Sequence, residues 1–398
     1  MKVLFIGSVL KNEDANKHRG ISVAGNKMQM GIIKALYKKY QDDLSIITSY
    51  PIASFPTESK IIIKNEIIEL AENIYSRKVP FINIFLLKQY SKIINTYKYI
   101  KNWMKENNGE EKMIICYNAF PHISLPILWA TKYSKVKTIC LVADLPIDGV
   151  VKFKNIKGIA AKIESESTKK NIKKFDLLAV LNESAARKFS PTSQYVVIDG
   201  GFDLDETPLI PCGGQWLDSE NEKLRVMFSG LLTEYNGIQN LIEAAKLVKN
   251  NKFILDIYGD GPLTDYVREA SIKNPKINYM GRVSNSEIMK LQHTSSLLIS
   301  TLDPEHPVAK VAFPSKIVEY LVSGTPVLSS KVNSLSSSYL KHMYVFNDMK
   351  PDNIAKEIDI ILSKDKSDLI EISSNARKFI LDNKNWEVQV DKIISAVK

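Results

Sequence analysis

The apolar positions of this chain fall into short unbroken runs separated by stretches of helical spacing. Lys2-Val3-Leu4-Phe5-Ile6-Gly7 is a β-branched and aromatic run closed by glycine, the form of a strand buried on both faces. A helical pattern follows at 25–40. Strand-like runs recur at 44–48, 113–117, 138–142, 177–181 and 195–198, with helical patterns such as 83–105 and 156–174 between them. After residue 223 the alternation restarts: strands at 225–229, 253–258, 277–280, 297–300 and 327–329, helices at 238–250, 263–273, 285–292 and 314–323. Alternation of this kind predicts an α/β protein with two doubly wound, Rossmann-like domains. The intervening stretch, 203–223, is polar and holds Pro208, Pro211, Gly213 and Gly214, so it reads as a linker. The expected division is 1–202, linker 203–223, and 224–379. The final helical pattern breaks at Asn383-Lys384-Asn385, and its last part, about 380–398, is long enough to pack back on the first domain.

Composition narrows the class. A chain of 398 residues that is 44% apolar and 25% charged is globular and long enough for two cores. No run approaches the eighteen or so uncharged apolar residues of a membrane span, and no cleavable signal is evident. The cysteines, Cys116, Cys140 and Cys212, are odd in number and lack CxxC spacing, which fits a reducing, cytoplasmic compartment. No His/Cys cluster has zinc spacing, and Asp203-Leu204-Asp205 falls at the linker rather than at a strand end, so no obligatory metal is expected.

Charge is uneven. Residues 1–200 hold 31 Lys and Arg against 18 Asp and Glu, and the remainder 23 against 26. No helix-turn-helix, zinc-finger or aromatic RNA-binding motif accompanies the basic half, which argues against nucleic acid. In 83–105 the apolar line Leu86, Tyr90, Ile93, Tyr97, Ile100 and Met104 is expected to face a sheet, with Lys88, Lys92, Lys98, Lys101 and Lys105 mostly opposite. That basic face, joined by Lys152, Lys154, Lys157, Lys162, Lys169, Lys170, Lys173 and Lys174, is either solvated or rests on an anionic membrane surface. Sequence leaves both open.

The segment of most chemical interest is FPSKIVEYLVSGTPVL, residues 313–328. Pro314 and Ser315 open a helix, Ser323-Gly324 closes it, and Thr325-Pro326 leads into a buried strand. Such a helix N-terminus offers N–H groups to an anion. Lys316 and Glu319 share one face of its first turn. They make either a surface ion pair or a site in which the cation meets phosphate and the carboxylate accepts hydrogen bonds from a diol. The loop 7–25 precedes another helix with Gly20, Ser22, Gly25 and Asn26; it is not a GxGxxG fingerprint, but it can approach a ligand closely.

This segment resembles the donor-binding signature of retaining glycosyltransferases of the GT-B fold, family 4 (glycosyl transferases group 1). VMFSGLLTEYNGIQNLIEA, DIYGDGP and YMGRVSNSEI precede it in the order those relatives keep. The resemblance implies two Rossmann-like domains facing a central cleft, an N-terminal one for the acceptor and a C-terminal one for a UDP- or GDP-type nucleotide sugar, with no further cofactor. It implies that Glu319 grips the donor ribose, that Lys316 and Ser315 lie by its phosphates, that Arg282 and Val283 hold the base, and that Gly230 and Glu305 border the donor. The chain departs from the family where the first glutamate of its pair is Val311, where phosphate-binding Arg and Lys are Leu231 and Asn236, and where a sugar-facing His is Ala143. Asp144 and His122, after neighbouring strands, are the candidates left for catalysis. With no evident nucleophile, transfer on one face with the leaving phosphate taking the acceptor's proton is the expected route.

The implied activity is that of a hexosyltransferase-type enzyme of the EC 2.4 class, retaining, acting on a saccharide or lipid-linked glycan in cell-surface polysaccharide or glycoconjugate assembly. Its expected place is cytoplasmic, peripheral at the inner face of the cell membrane. The competing expectation is a catalytically inactive partner or regulatory subunit that binds sugar nucleotide or glycan.

Overall fold

The structure, a computed structural model, describes residues 1–15, 22–143, 156–189, 193–203, 223–307, 309–310 and 313–397. Gly20, Asp144, Lys152, Lys154, Val311 and linker residues 204–222 lie outside the described residues. The chain divides into two compact units, Met1–Gly201 with Trp386–Lys398, and Phe202–Asn385.

The first unit is built on an eight-stranded sheet. Its strands are β1 (Lys2–Gly7), β2 (Leu44–Thr48), β4 (Glu66–Ala71), β5 (Ile74–Lys78), β7 (Lys112–Tyr117), β8 (Lys137–Val142), β9 (Leu177–Val180) and β10 (Tyr195–Val197), with a small separate pair β3 (Ile62–Ile63) and β6 (Phe81–Ile82). The order is β10-β9-β8-β7-β1-β2-β5-β4, and every pairing is parallel except β4 with β5. Successive side chains of a strand point to opposite faces, so one run feeds two cores. Val3, Phe5, Met113 and Ile115 enter the layer shared with α2 (Val23–Tyr40), while Leu4, Ile6, Ile114 and Cys116 enter the layer shared with α3 (Phe85–Glu106) and α4 (Pro121–Thr131).

Two features differ from the reading of the sequence. Residues 62–82, unassigned there, form the hairpin β4–β5, turned at Asn73 with φ of 60°; its short alternating strands carry exposed Ile67 and Tyr75, so they lack the continuous apolar run of a buried strand. In α3 the inward line is Lys92, Thr96, Ile100 and Trp103, whereas Tyr90, expected inside, is 64% exposed. The buried line falls about one residue from the expected one, with Thr96, Ile100 and Trp103 packed inward and the Lys92 ammonium 4.4 Å above the Phe81 ring. A lysine expected outside is thus packed in.

The second unit holds a six-stranded, all-parallel sheet of β11 (Leu224–Ser229), β12 (Phe253–Tyr258), β13 (Ile277–Gly281), β14 (Leu297–Ser300), β15 (Val327–Ser330) and β16 (Tyr344–Phe346). Its order, β13-β12-β11-β14-β15-β16, is that of a doubly wound dinucleotide-binding sheet. Val226, Phe228, Leu255 and Ile257 pack on one face; Met227, Leu298 and Val327 pack on the other, against α10 (Ser315–Ser323).

The segment after the second unit completes the first. Helix α14 (Trp386–Val397) lies on α2 and brings Trp386, Val390, Ile393 and Ile394 into that core. Lys38 bonds Glu387 at 2.6 Å and Lys39 pairs with Asp391. The Trp386 indole fills space left by two glycines, since a Cβ built on Gly31 or Gly201 would overlap its ring. Gly31→Ala is therefore expected to cost about 1–3 kcal/mol by overpacking. Denaturant unfolding should show this cost, and show it shrink when Trp386→Leu is made in the same chain.

Candidate functional site

In a doubly wound sheet, connections leave in opposite directions at one point, and the loops there part to leave a crevice at the carboxyl ends of the strands. In the second unit that point lies between β11 and β14. The loop after β11 starts at Gly230, whose N–H donates to the Tyr258 carbonyl at 3.0 Å. It is laced to the loop after β12: Leu232 N–H donates to Asp260 O at 2.8 Å and Leu263 N–H returns to Leu232 O at 3.0 Å. Gly259, at φ 134°, sits under the Gly230 carbonyl so closely that a Cβ would collide with it. Only glycine admits both that dihedral and that approach.

The loop after β14 joins the same cluster. Thr301 Oγ1 donates to Asn236 O at 2.7 Å and Asp303 N–H to Tyr235 O at 2.8 Å. It leads to α10, which begins at Ser315 after an N-cap Pro314 and has no side-chain cap. Its apolar face, Ile317, Val318, Tyr320 and Leu321, is buried. The Tyr320 hydroxyl lies 2.9 Å from the Ser229 N–H that donates to it and 3.1 Å from Ser229 Oγ, fastening the helix to the last residue of β11. At the far end Arg377, from α13 (Lys366–Asn383), donates to Val322 O at 2.9 Å and to Ser323 O. A cation there complements the helix dipole, and Gly324, at φ 80°, ends the helix.

Lys316 and Glu319 meet on the first turn with Nζ to Oε2 of 2.6 Å. Burial lowers the Lys316 pKa, yet the charges of Glu319 and Tyr320 outweigh it, and the ammonium is held above its ordinary range. Ser315 is exposed at the helix start. Arg282 is 3.9 Å from Asp260, and Val283 packs beside the core that holds α10. Glu305 pairs with Lys310 at 3.1 Å. Asn236, where relatives were expected to keep a cation, instead donates to Leu231 O at 2.6 Å and braces the loop, while the Leu231 side chain is 48% exposed. All these residues except Lys310 were legible as motif positions, Leu231 and Asn236 as the places where the family's cations are replaced; the hydroxyl anchor of Tyr320 was not, because a tyrosine on an apolar face reads as core.

In the first unit the corresponding point lies between β1 and β7. His122 is the second residue of α4, reached directly from the end of β7. Its ring stacks on Phe120 at 6.1 Å, and its Nδ1 is buried with no hydrogen-bond partner among the described residues. Burial, then the charges of Lys92 and Lys88, push its pKa well below the usual range, so the ring is neutral. Ala143 ends β8 and its N–H donates to Asn118 Oδ1 at 2.9 Å. On the other side Ser22 caps α2 by accepting from Gly25 N–H at 3.1 Å, and Gly25 lies against the Tyr117 hydroxyl. Asn26 is 1% exposed, and its amide is taken up by Leu10 N–H at 2.9 Å, Leu10 O at 3.0 Å and Asn12 at 3.0 Å. It holds the loop rather than offering a free group to a ligand. Among the described residues no helix is long and apolar enough to cross a membrane, and no three His, Cys, Asp or Glu side chains are grouped to hold a metal ion.

Comparison with known proteins agrees with this geometry. Residues 216–379 match the family Glycosyl transferases group 1. No curated protein matches the chain. Sucrose-phosphate synthase from Thermosynechococcus elongatus superposes with a TM-score of 0.65 at 14% identity, covering 99% of this chain and 98% of that one. Anabaena HepE in complex with UDP gives 0.64 at 16%, covering 99% of each. A glycosyltransferase from Rickettsia africae gives 0.64 at 17%, covering 100% and 98%. At such identities the likeness establishes the fold, and the fold is GT-B.

The anchoring of α10 predicts that Tyr320→Phe costs about 1–2 kcal/mol, since the hydroxyl leaves a buried Ser229 N–H without its partner. Thermal unfolding of the two forms measures it.

Proposed function

We propose that this GT-B protein, whose second unit matches glycosyl transferases group 1, is a glycosyltransferase that moves a sugar from a nucleotide-sugar donor to a saccharide or lipid-linked saccharide acceptor with retention. The single observation that carries this reading is the Lys316–Glu319 pair on the first turn of α10, at the carboxyl edge of a doubly wound sheet. A pyrophosphate has two needs there, positive charge and N–H donors. Lys316 supplies the first; the Ser315 and Ile317 N–H groups at the start of α10 donate to the Phe313 and Pro314 carbonyls at 2.9 Å, so they turn to a ligand only by exchanging those bonds, and the positive end of the helix dipole adds to the charge of Lys316. Glu319 supplies a carboxylate acceptor for ribose hydroxyls, so binding exchanges its bond to Lys316 for bonds to the donor. Arg282 and Val283, after β13, are the residues proposed to border the base, with Gly230, Ser315 and Glu305 around the phosphates and sugar.

Catalysis in this reading is positioning and leaving-group electrostatics. As the glycosidic bond to phosphate lengthens, negative charge grows on the leaving oxygen, where Lys316 and the helix end are worth more than in the ground state. That oxygen takes the acceptor's proton. His122 and Asp144 are the first-unit residues proposed for catalysis. A UDP-type donor is tried first because Anabaena HepE, of the same fold, has been solved with UDP-glucose; a GDP-type donor is the alternative.

A second reading is favoured by Leu231 and Asn236: with neither position cationic, the chain binds donor or glycan without turnover, as a partner subunit. One experiment separates them. A thermal-shift panel of nucleotide sugars identifies the donor, and turnover with that donor is then measured. Glu319→Ala is expected to weaken donor binding by about tenfold or more, and Lys316→Met to lower kcat by a comparable factor, from the loss of charge-assisted hydrogen bonds. Binding without turnover in the presence of saccharide and lipid-linked acceptors would favour the partner subunit. Failure of every nucleotide sugar to bind, or donor affinity unchanged in Glu319→Ala, would sink the enzyme and leave only a glycan-binding partner.

A further inference from the structure

The first unit contains a group of charges that its fold does not use. Lys92 is 5% exposed, yet its ammonium meets only the Tyr50 carbonyl at 3.3 Å and the Phe81 ring at 4.4 Å. Lys88, one turn earlier on α3 and half-buried, bonds the Ile52 carbonyl and lies 5.9 Å from the same ring. No carboxylate pairs with either among the described residues. Glu164, on α5 (Ile156–Ile172), acts on Lys92 through space without closing an ion pair. The nearby Lys78, whose ammonium lies 4.9 Å over the Tyr50 ring, is already paired with Glu66. On α4, packed along α3, His122 presents a buried Nδ1 with no partner. An ammonium withdrawn from water without a counter-ion is costly. Two on one helix, beside an unsatisfied histidine nitrogen, mark a place that an anion completes.

We propose that Lys88, Lys92 and His122 form a phosphate-binding cluster at the carboxyl edge of the first sheet, and that it takes the phosphate group of the acceptor. The assignment to the acceptor rests on the glycosyltransferase reading; the presence of the cluster does not. A phosphate oxygen replaces the missing carboxylate for Lys92, Lys88 reaches it from the half-buried side, and His122 in its Nδ1–H form donates. Burial holds Lys92 near a pKa of about 7, with the charge of Lys88 lowering it further and Glu164 opposing. An anion bound there raises it, so binding draws a proton onto Lys92. The same part of the unit leaves Ile62, Ile82, Ile84, Phe85, Leu87 and Tyr90 exposed, apolar surface on which the chain of a lipid phosphate can lie.

The test titrates the full chain with inorganic phosphate on either side of neutrality, by calorimetry, beside Lys92→Met and Lys88→Met. Saturable binding is expected at both pH values, weakened about tenfold or more in each variant. UDP-glucose binding should be unchanged in both, which keeps the outcome separate from that of the donor site. Lys92→Met should also keep or raise the melting temperature, because an apolar side chain of like shape replaces a buried charge. Absence of phosphate binding overturns the proposal. So does equal affinity in wild type and both variants, and so does a lowered melting temperature in Lys92→Met with phosphate affinity intact, the mark of a structural lysine. Two further titrants identify the source of the phosphate. Displacement by vesicles of phosphatidylglycerol in phosphatidylcholine, and not by phosphatidylcholine alone, assigns a lipid headgroup. Tighter binding of glucose 6-phosphate than of inorganic phosphate, with vesicles inert, assigns a soluble sugar phosphate.

Discussion

The position of α10 is the constraint on which the second unit's chemistry depends. A nine-residue helix has little stability of its own, and this one is fixed from outside at its middle and at its last turn. The Tyr320 hydroxyl ties its middle to Ser229 at the tip of β11, and Arg377 takes the carbonyls of its last turn. The first turn, with Lys316 and Glu319, is thereby presented at the sheet edge while its own N–H groups stay uncapped by any side chain. The loops laced across Gly230, Gly259 and Leu232 form the rest of the rim, held by backbone bonds and by the Asn236 and Thr301 side chains.

The two units solve related problems with different means. Each has a doubly wound sheet whose strand order reverses once, and each has its candidate residues in the loops at that reversal. In the second unit positive charge is balanced within the protein, Lys316 by Glu319. In the first, Lys88 and Lys92 are left with carbonyl oxygens and an aromatic ring. An internally balanced site can stand empty at little cost and exchange its bonds when a ligand arrives. An unbalanced one gains more from occupancy, because the ligand's charge relieves a desolvation that the fold alone does not.

Much of the architecture was legible because strand and helix periods are local. Runs such as 3–6 and 113–116 are apolar throughout because both faces of a parallel sheet are covered. The hairpin at 66–78 was not legible, since an edge pair with one wet face alternates too weakly to separate from loop. At the site, motif positions were readable and their use was not. Asn236 and Asn26 carry ligand-capable amides that the structure consumes in bracing loops. Lys92 illustrates the limit of helical-face counting: a lysine scores as outward, yet in the fold its ammonium lies over the Phe81 ring of β6. Hydroxyl anchors such as Tyr320 are hidden for the same reason, because their partners are backbone groups that carry no sequence signal.

The indole of Trp386 has a consequence for how the molecule is made. The groove it fills, floored by Gly31 and Gly201, is finished by residues that follow the whole of the second unit in the chain. During synthesis, domains tend to fold in the order in which they emerge. Here the earlier-made unit waits, with an apolar face of α2 uncovered, until the later one has left the ribosome. Its nascent form is therefore incomplete for the time needed to translate nearly half the protein, and that interval is when a chaperone or a premature stop would find it.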